Sequence, residues 1–179
     1  PEAGAPTWVA SKGFKKYKSV LGGLAYDFKI SNKITNSTSI FINYKDNNEP
    51  RPFDILRQYT FASGARTQFD GTISVGKTKT LWNLGVEYFR DNYAGKTLEN
   101  LYQENNGNGS LEGKKLTETN QERDFYTAFA QLRILLSKKF ELQAGLNFNK
   151  TQFNLETLFP RENASSENYS YDAIWSPQI

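Results

Sequence analysis

From Tyr126 to Phe148 the chain is apolar, small or aromatic at every second position. Tyr126, Ala128, Ala130, Leu132 and Ile134 are followed, past Ser137-Lys138-Lys139, by Phe140, Leu142, Ala144, Leu146 and Phe148. Between them lie Thr127, Gln131, Arg133, Glu141, Gln143, Asn147 and Asn149. A period of two is the period of a strand, not of a helix. The stretch therefore predicts a hairpin of two long strands with one oily face and one wet face. In a small soluble sheet another layer covers the oily face. In an outer-membrane barrel that face meets lipid, and the wet face lines the lumen.

The same alternation recurs along the chain. After a loop over 1–17, Val20, Gly22, Leu24, Tyr26, Phe28 and Ile30 share one face, opposite Gly23, Ala25, Asp27 and Lys29, with Leu21 out of phase. A short turn near Ser31 to Asn36 leads to Thr38, Ile40, Ile42 and Tyr44. A connection over 46–62 follows, and its prolines Pro50 and Pro52 oppose regular pairing. Ala65 to Val75 and Trp82 to Phe89 form the next pair of strands, with a tight turn at Lys77-Thr78-Lys79-Thr80. The longest connection runs from about Asp91 to Glu122, with a short helix expected around Leu98 to Glu104 and a turn at Asn105-Asn106-Gly107-Asn108-Gly109. After Phe148 the apolar phase shifts to Thr151, Phe153 and Leu155, which predicts a bulge near Lys150. A loop over 159–166 precedes a seventh strand from Tyr169.

Connections after the first, third and fifth strands are short; those after the second, fourth and sixth are long. That alternation is the pattern of a membrane barrel, with tight periplasmic turns and large outer loops. The strands run to about 11–15 residues, against a globular mode of about 5–6 and a tilted span of about 9–11. Phe28, Trp82 and Phe140 near the short turns, and Tyr44, Tyr88, Tyr93 and Tyr126 near the long connections, fit two aromatic girdles. Seven strands are an odd number and leave open edges, so the missing strands are expected outside this sequence.

Composition narrows the chemistry. The 179 residues contain no Cys, His or Met, so disulfides, thiolate metal sites and the commonest catalytic base are absent from them. The formal charge of +3 is spread along the chain, without the compact basic patch of a nucleic-acid binder. No run approaches the roughly 20 apolar residues of a spanning helix, and aromatics reach 15%. Neither the spacing of carboxylates nor the glycine-rich Gly107-Asn108-Gly109-Ser110 matches a hydrolase or phosphate-binding motif. The chain reads as a non-enzyme, with no metal site and no cofactor.

Leu24-Ala-Tyr-Asp-Phe through Ile42-Asn-Tyr, Asn48-Glu-Pro-Arg-Pro-Phe-Asp, Gly85-Val-Glu-Tyr-Phe-Arg-Asp-Asn-Tyr and the closing Tyr171-Asp-Ala-Ile-Trp-Ser-Pro-Gln-Ile resemble the middle of the barrel of TonB-dependent outer-membrane receptors of the siderophore type. The asparagine-rich, cysteine-free style is similar to that of Bacteroidetes proteins. The resemblance implies residues 1–179 as part of an antiparallel up-and-down barrel of about 22 strands. The plug domain and TonB box of the family are not in this sequence. It further implies a Gram-negative outer membrane, a scarce ligand such as a siderophore, haem, cobalamin or glycan, and energy from the TonB complex. A surface lipoprotein is a further implied partner. No ligand-contact residue carries over from the family.

The expected ligand-binding positions on loops and lumen are Arg51, Phe53, Arg57, Arg66, Arg90, Tyr93 and Arg123. Arginines attract an anionic chelate. The same arginines also suit a salt-bridge lattice with Asp70, Glu87, Asp124 and Glu141 along the inner wall. Other readings of the chain are a small eight-stranded barrel with a structural or adhesive role, a SusC-like importer of glycans or peptides, and a soluble β-barrel binder.

Overall fold

The computed structural model describes residues 6–76, 78–137 and 139–179. Pro1 to Ala5 in the opening loop, Lys77 in the third turn and Lys138 in the fifth lie outside the described residues. A short helix α1 (Pro6–Ser11) precedes the strands β1 (Lys16–Ser31), β2 (Ile34–Pro50), β3 (Ile55–Val75), β4 (Thr78–Asn100), β5 (Glu112–Leu135), β6 (Glu141–Phe159), β7 (Ser165–Ser170) and β8 (Ile174–Gln178). They form one antiparallel, up-and-down sheet in the order β1-β2-β3-β4-β5-β6-β7, with β8 also on β6. The all-β expectation and the six long strands read from alternation hold.

Pairing keeps the faces in phase. Leu24, Ile40, Ala65 and Tyr88 are successive cross-strand partners, as are Thr38, Thr67, Val86, Ala128 and Phe148. Each partner pair points to the same side of the sheet. One face thus carries a continuous apolar band that ends at the row Ile40, Ala65, Tyr88, Tyr126. The other face carries Asp27, Gln68, Glu87, Gln131 and Gln143. Leu24 on the band is 74% exposed and Leu84 48% exposed, so the band faces outward uncovered. Among the described residues the buried apolar side chains are Ile55, Ala62 and Leu98. Among the described residues these three form no central core.

The strands outrun the apolar band, and this corrects several expectations. The connection expected over 46–62 is a turn at 51–54, because β2 pairs β3 in unbroken register up to Pro50↔Ile55. Pro50 takes the last position of its strand, where a missing N–H costs least. The connection expected from Asp91 to Glu122 shrinks to 101–111, because β4 and β5 pair through Thr97↔Thr117 and on to Asn100↔Glu112. Polar side chains do not weaken this extension, since the ladder is made by backbone groups. No helix forms around Leu98 to Glu104: Leu98 is Ile55's strand partner, and the following residues close in turns with Asn106, Gly107 and Gly109 at positive φ. The opening loop contains α1.

The bulge expected near Lys150 is absent from β6, which pairs β5 in even register from Leu135↔Glu141 to Thr157↔Thr119. It lies instead on the next strand. Ser170 pairs Gln152 and Ile174 pairs Asn149, so Tyr171–Ala173 hold one residue more than the stretch opposite. The seventh strand therefore begins at Ser165, before the expected Tyr169, and is broken into β7 and β8. The phase change after Phe148 has a simpler origin. Beyond the band the wet face itself becomes apolar, with Phe153 stacked at 6.0 Å on Tyr169.

Candidate functional site

At the tip of the long connections, Asn100 organises three segments. Its Nδ2 donates to the Arg51 carbonyl and to Ser110 Oγ, both at 2.8 Å, and its Oδ1 accepts from Leu111 N at 3.1 Å. Ser110 Oγ in turn donates to the Ser11 carbonyl at the end of α1 at 2.8 Å. Ile55 and Leu98 pack just beneath. The tip is a small folded head that joins α1, the 51–54 turn and the 101–111 connection.

Each arginine expected to bind ligand has an acidic neighbour. Arg51 forks onto Asp54 with bonds of 2.6 and 2.7 Å and lies 5.0 Å from the Phe53 ring centre. Arg57 bonds Glu112, and Arg123 bonds Asp91. Arg66 stands 3.9 Å from Glu87 and 5.1 Å over the Phe129 ring. Arg90 grips Asp124 through two bonds of 2.7 and 2.9 Å, and Tyr88 OH donates to the same carboxylate at 2.6 Å. Asp124 lies beyond the Tyr126 row, outside the apolar band, and the Arg90 guanidinium holds its carboxyl below the usual carboxylate range. The lattice of ion pairs is what the geometry displays, although most of its partners differ from those the sequence suggested.

The expected positions fall on different sides of the sheet. Arg66, Tyr93 and Arg123 are on the polar face, while Arg51 and Phe53 are in the tip turn. Arg57 and Arg90 are on the same side as the apolar band, past its upper edge, as their partners Lys96 and Asp124 show. Tyr93 does not join the girdle. It pairs with Thr60 and Gln121 on the polar face, and its hydroxyl accepts from Gln58 Nε2 at 2.7 Å.

Sequence reasoning missed an aromatic strip on the polar face. Phe41, Phe89 and Phe125 run across four strands, from β2 over Gly64 of β3 to β4 and β5, with ring centres 6.0 and 5.6 Å apart. Gly64 makes the first contact possible, since a Cβ there would sit 2.5 Å from Phe41 Cζ. Gly85 likewise leaves room for Phe129, whose Cζ would lie 2.3 Å from a Cβ at 85. The available signal was the set of aromatics out of phase with the band. Among the described residues, no group of three or more Asp and Glu is placed to hold a metal ion. The sheet offers flat apolar surface, amides and paired charges.

No family model and no curated protein sequence matches this chain. Solved structures match its fold. The ferric citrate transporter FecA in its unliganded form superposes with a TM-score of 0.77 at 11% identity, over 91% of this chain and 24% of that one. The siderophore receptor PiuA from Acinetobacter baumannii gives 0.73 at 11% identity, over 93% and 30%. The ferric-catecholate import receptor Fiu from E. coli K12, in its open form, gives 0.64 at 9% identity, over 93% and 32%. These organisms lend no support to the Bacteroidetes-like resemblance. The chain spans about a quarter to a third of the length of these structures. Identity this low shows the fold alone: the sheet has the architecture of a segment of those proteins.

Proposed function

We propose that this chain is a stretch of the barrel wall of a TonB-dependent receptor in a Gram-negative outer membrane. The whole protein takes up a ferric siderophore or similar metal chelate with energy from the TonB complex. It is a transporter rather than an enzyme, and the plug and the remaining strands belong to other parts of the polypeptide. The observation that carries the reading is the uncovered apolar band, held in register from β1 to β6 and closed above by Tyr88 and Tyr126. In water such a band would drive aggregation; in a bilayer it is the required surface. The likeness to FecA, PiuA and Fiu supports the choice of barrel, and their described ligands support the ligand class. The outer edges of β1 and of β7–β8 take further strands, because an open edge in lipid costs several kcal/mol per unpaired group.

The test is uptake of radiolabelled ferric chelates by the producing bacterium, with and without the full-length gene, under iron limitation. Loss of uptake of one chelate class, restored by the gene but not in a TonB-deficient strain, is expected. Unchanged uptake of every iron chelate would sink the ligand assignment.

A further inference from the structure

We propose that the 101–111 connection modifies itself: Asn108 converts through a cyclic imide to isoaspartate, and the conversion opens the folded tip. The inference stands apart from the uptake reading and goes beyond it, since it concerns how the tip changes with age.

Two Asn-Gly pairs, Asn106-Gly107 and Asn108-Gly109, follow one another in the connection. Both asparagines are exposed. An asparagine before glycine is open to attack on its own side-chain amide, because glycine has no Cβ to shield the backbone nitrogen that attacks. That nitrogen must first give up its proton, so a hydrogen-bonded N–H is the poorer nucleophile. The two pairs differ on this point. Gly107 N donates to the Tyr102 carbonyl at 3.2 Å, whereas Gly109 N donates to no acceptor among the described residues. Gly109 is held through its carbonyl instead, which accepts from Asn105 Nδ2 at 3.1 Å. The Lys12 side chain also lies over Gly109, its Cδ 3.4 Å from where a Cβ would stand. The ammonium two bonds further on favours the nitrogen that has lost its proton.

The step balances with water alone. Gly109 N bonds to Asn108 Cγ, the Cγ–Nδ2 bond breaks, and Nδ2 leaves as ammonia with the proton from Gly109 N. Water then opens the five-membered ring. Opening on the Cγ side gives aspartate. Opening at the main-chain carbonyl gives isoaspartate, whose backbone runs through Cβ and Cγ and is one carbon longer. Asn105 brackets this position: its carbonyl accepts from Asn108 N at 3.0 Å, and its Nδ2 holds the Gly109 carbonyl. The added carbon falls between those two bonds, so Asn105 cannot keep both. The displacement passes to the next residue, Ser110, whose hydroxyl joins Asn100 to the Ser11 carbonyl.

The test ages the full-length protein in detergent at mildly alkaline pH. Peptide mapping with electron-transfer fragmentation then separates isoaspartate from aspartate at both pairs. Asn108 is expected to convert roughly fivefold faster than Asn106, the factor that one net hydrogen bond is worth. In the urea-unfolded chain, where the bond to Tyr102 is gone, the two should convert at matching rates. Aged protein should be cut within 101–111 several-fold faster than fresh protein. Asn108→Gln, whose longer side chain closes its ring far more slowly, should stay resistant over the same period. Conversion of Asn106 as fast as Asn108 in the folded protein, or a preference that persists in urea, overturns the assignment of the site. Equal cutting of fresh protein and of aged protein rich in isoaspartate overturns its link to the tip.

Discussion

Asp124 gathers three donors on one carboxylate, two from Arg90 and one from Tyr88. The carboxylate is buried while the arginine remains 44% exposed, so solvent screens part of the gain. Asp124→Asn is expected to lower the urea stability of the full-length protein in vesicles by about 1–3 kcal/mol. No change in midpoint would mean that the cluster is ornamental. Because the folded carboxyl is held below its ordinary range, its contribution is present at neutral pH and is lost as pH falls through the folded value. The asparagine variant should therefore show a flatter acid limb. On the polar face, a Cβ at Gly64 would meet Phe41 Cζ at 2.5 Å and the Tyr88 carbonyl oxygen at 2.8 Å. Gly64→Val should cost about 1–3 kcal/mol through overpacking, measured the same way. A neutral result would show that the Phe41–Phe89 contact yields freely.

At the scale of elements, legibility follows side-chain burial. Within the band every second residue is apolar, small or aromatic, so β1, β2, β4, β5 and β6 announced themselves through Leu24, Ile40, Val86, Ala128 and Leu146. Beyond the band neither face keeps a regular apolar alternation. There Asn47, Gln58 and Thr97 alternate with nothing, and backbone pairing alone carries the strands onward. That is why the strand ends and the folded tip escaped sequence reading, and why Arg57 and Arg90, expected on the loops or the lumen, lie on the side of the band. The aromatic strip escaped because it is assembled across strands, with Phe41 lying over Gly64, a relation set by register and not by local pattern. The tip makes its own prediction. Asn100→Ala removes the bonds to Arg51, Ser110 and Leu111 together. Limited proteolysis should then cut within 101–111 at least several-fold faster while the band stays protected. Equal cutting rates would show that the head is held by other contacts.

The described residues form a curtain of strands with one uncovered apolar face. Leu84→Arg places a charge in the centre of the band and should destabilise the bilayer-embedded protein by about 2–4 kcal/mol. Asn83→Arg, one residue away on the wet face, should be close to neutral. The most direct measurement of the central claim extends this contrast along one hairpin. The 179 residues contain no cysteine, so single cysteines at 83–88 and 126–131 can carry nitroxide labels in the full-length protein, in proteoliposomes. Oxygen, concentrated in lipid, should relax the labels at Leu84, Val86, Ala128 and Ala130. A water-soluble nickel chelate should relax those at Asn83, Gly85, Glu87 and Gln131. Uniform accessibility to the aqueous reagent at all positions, or an alternation with the opposite phase, would contradict a lipid-facing band.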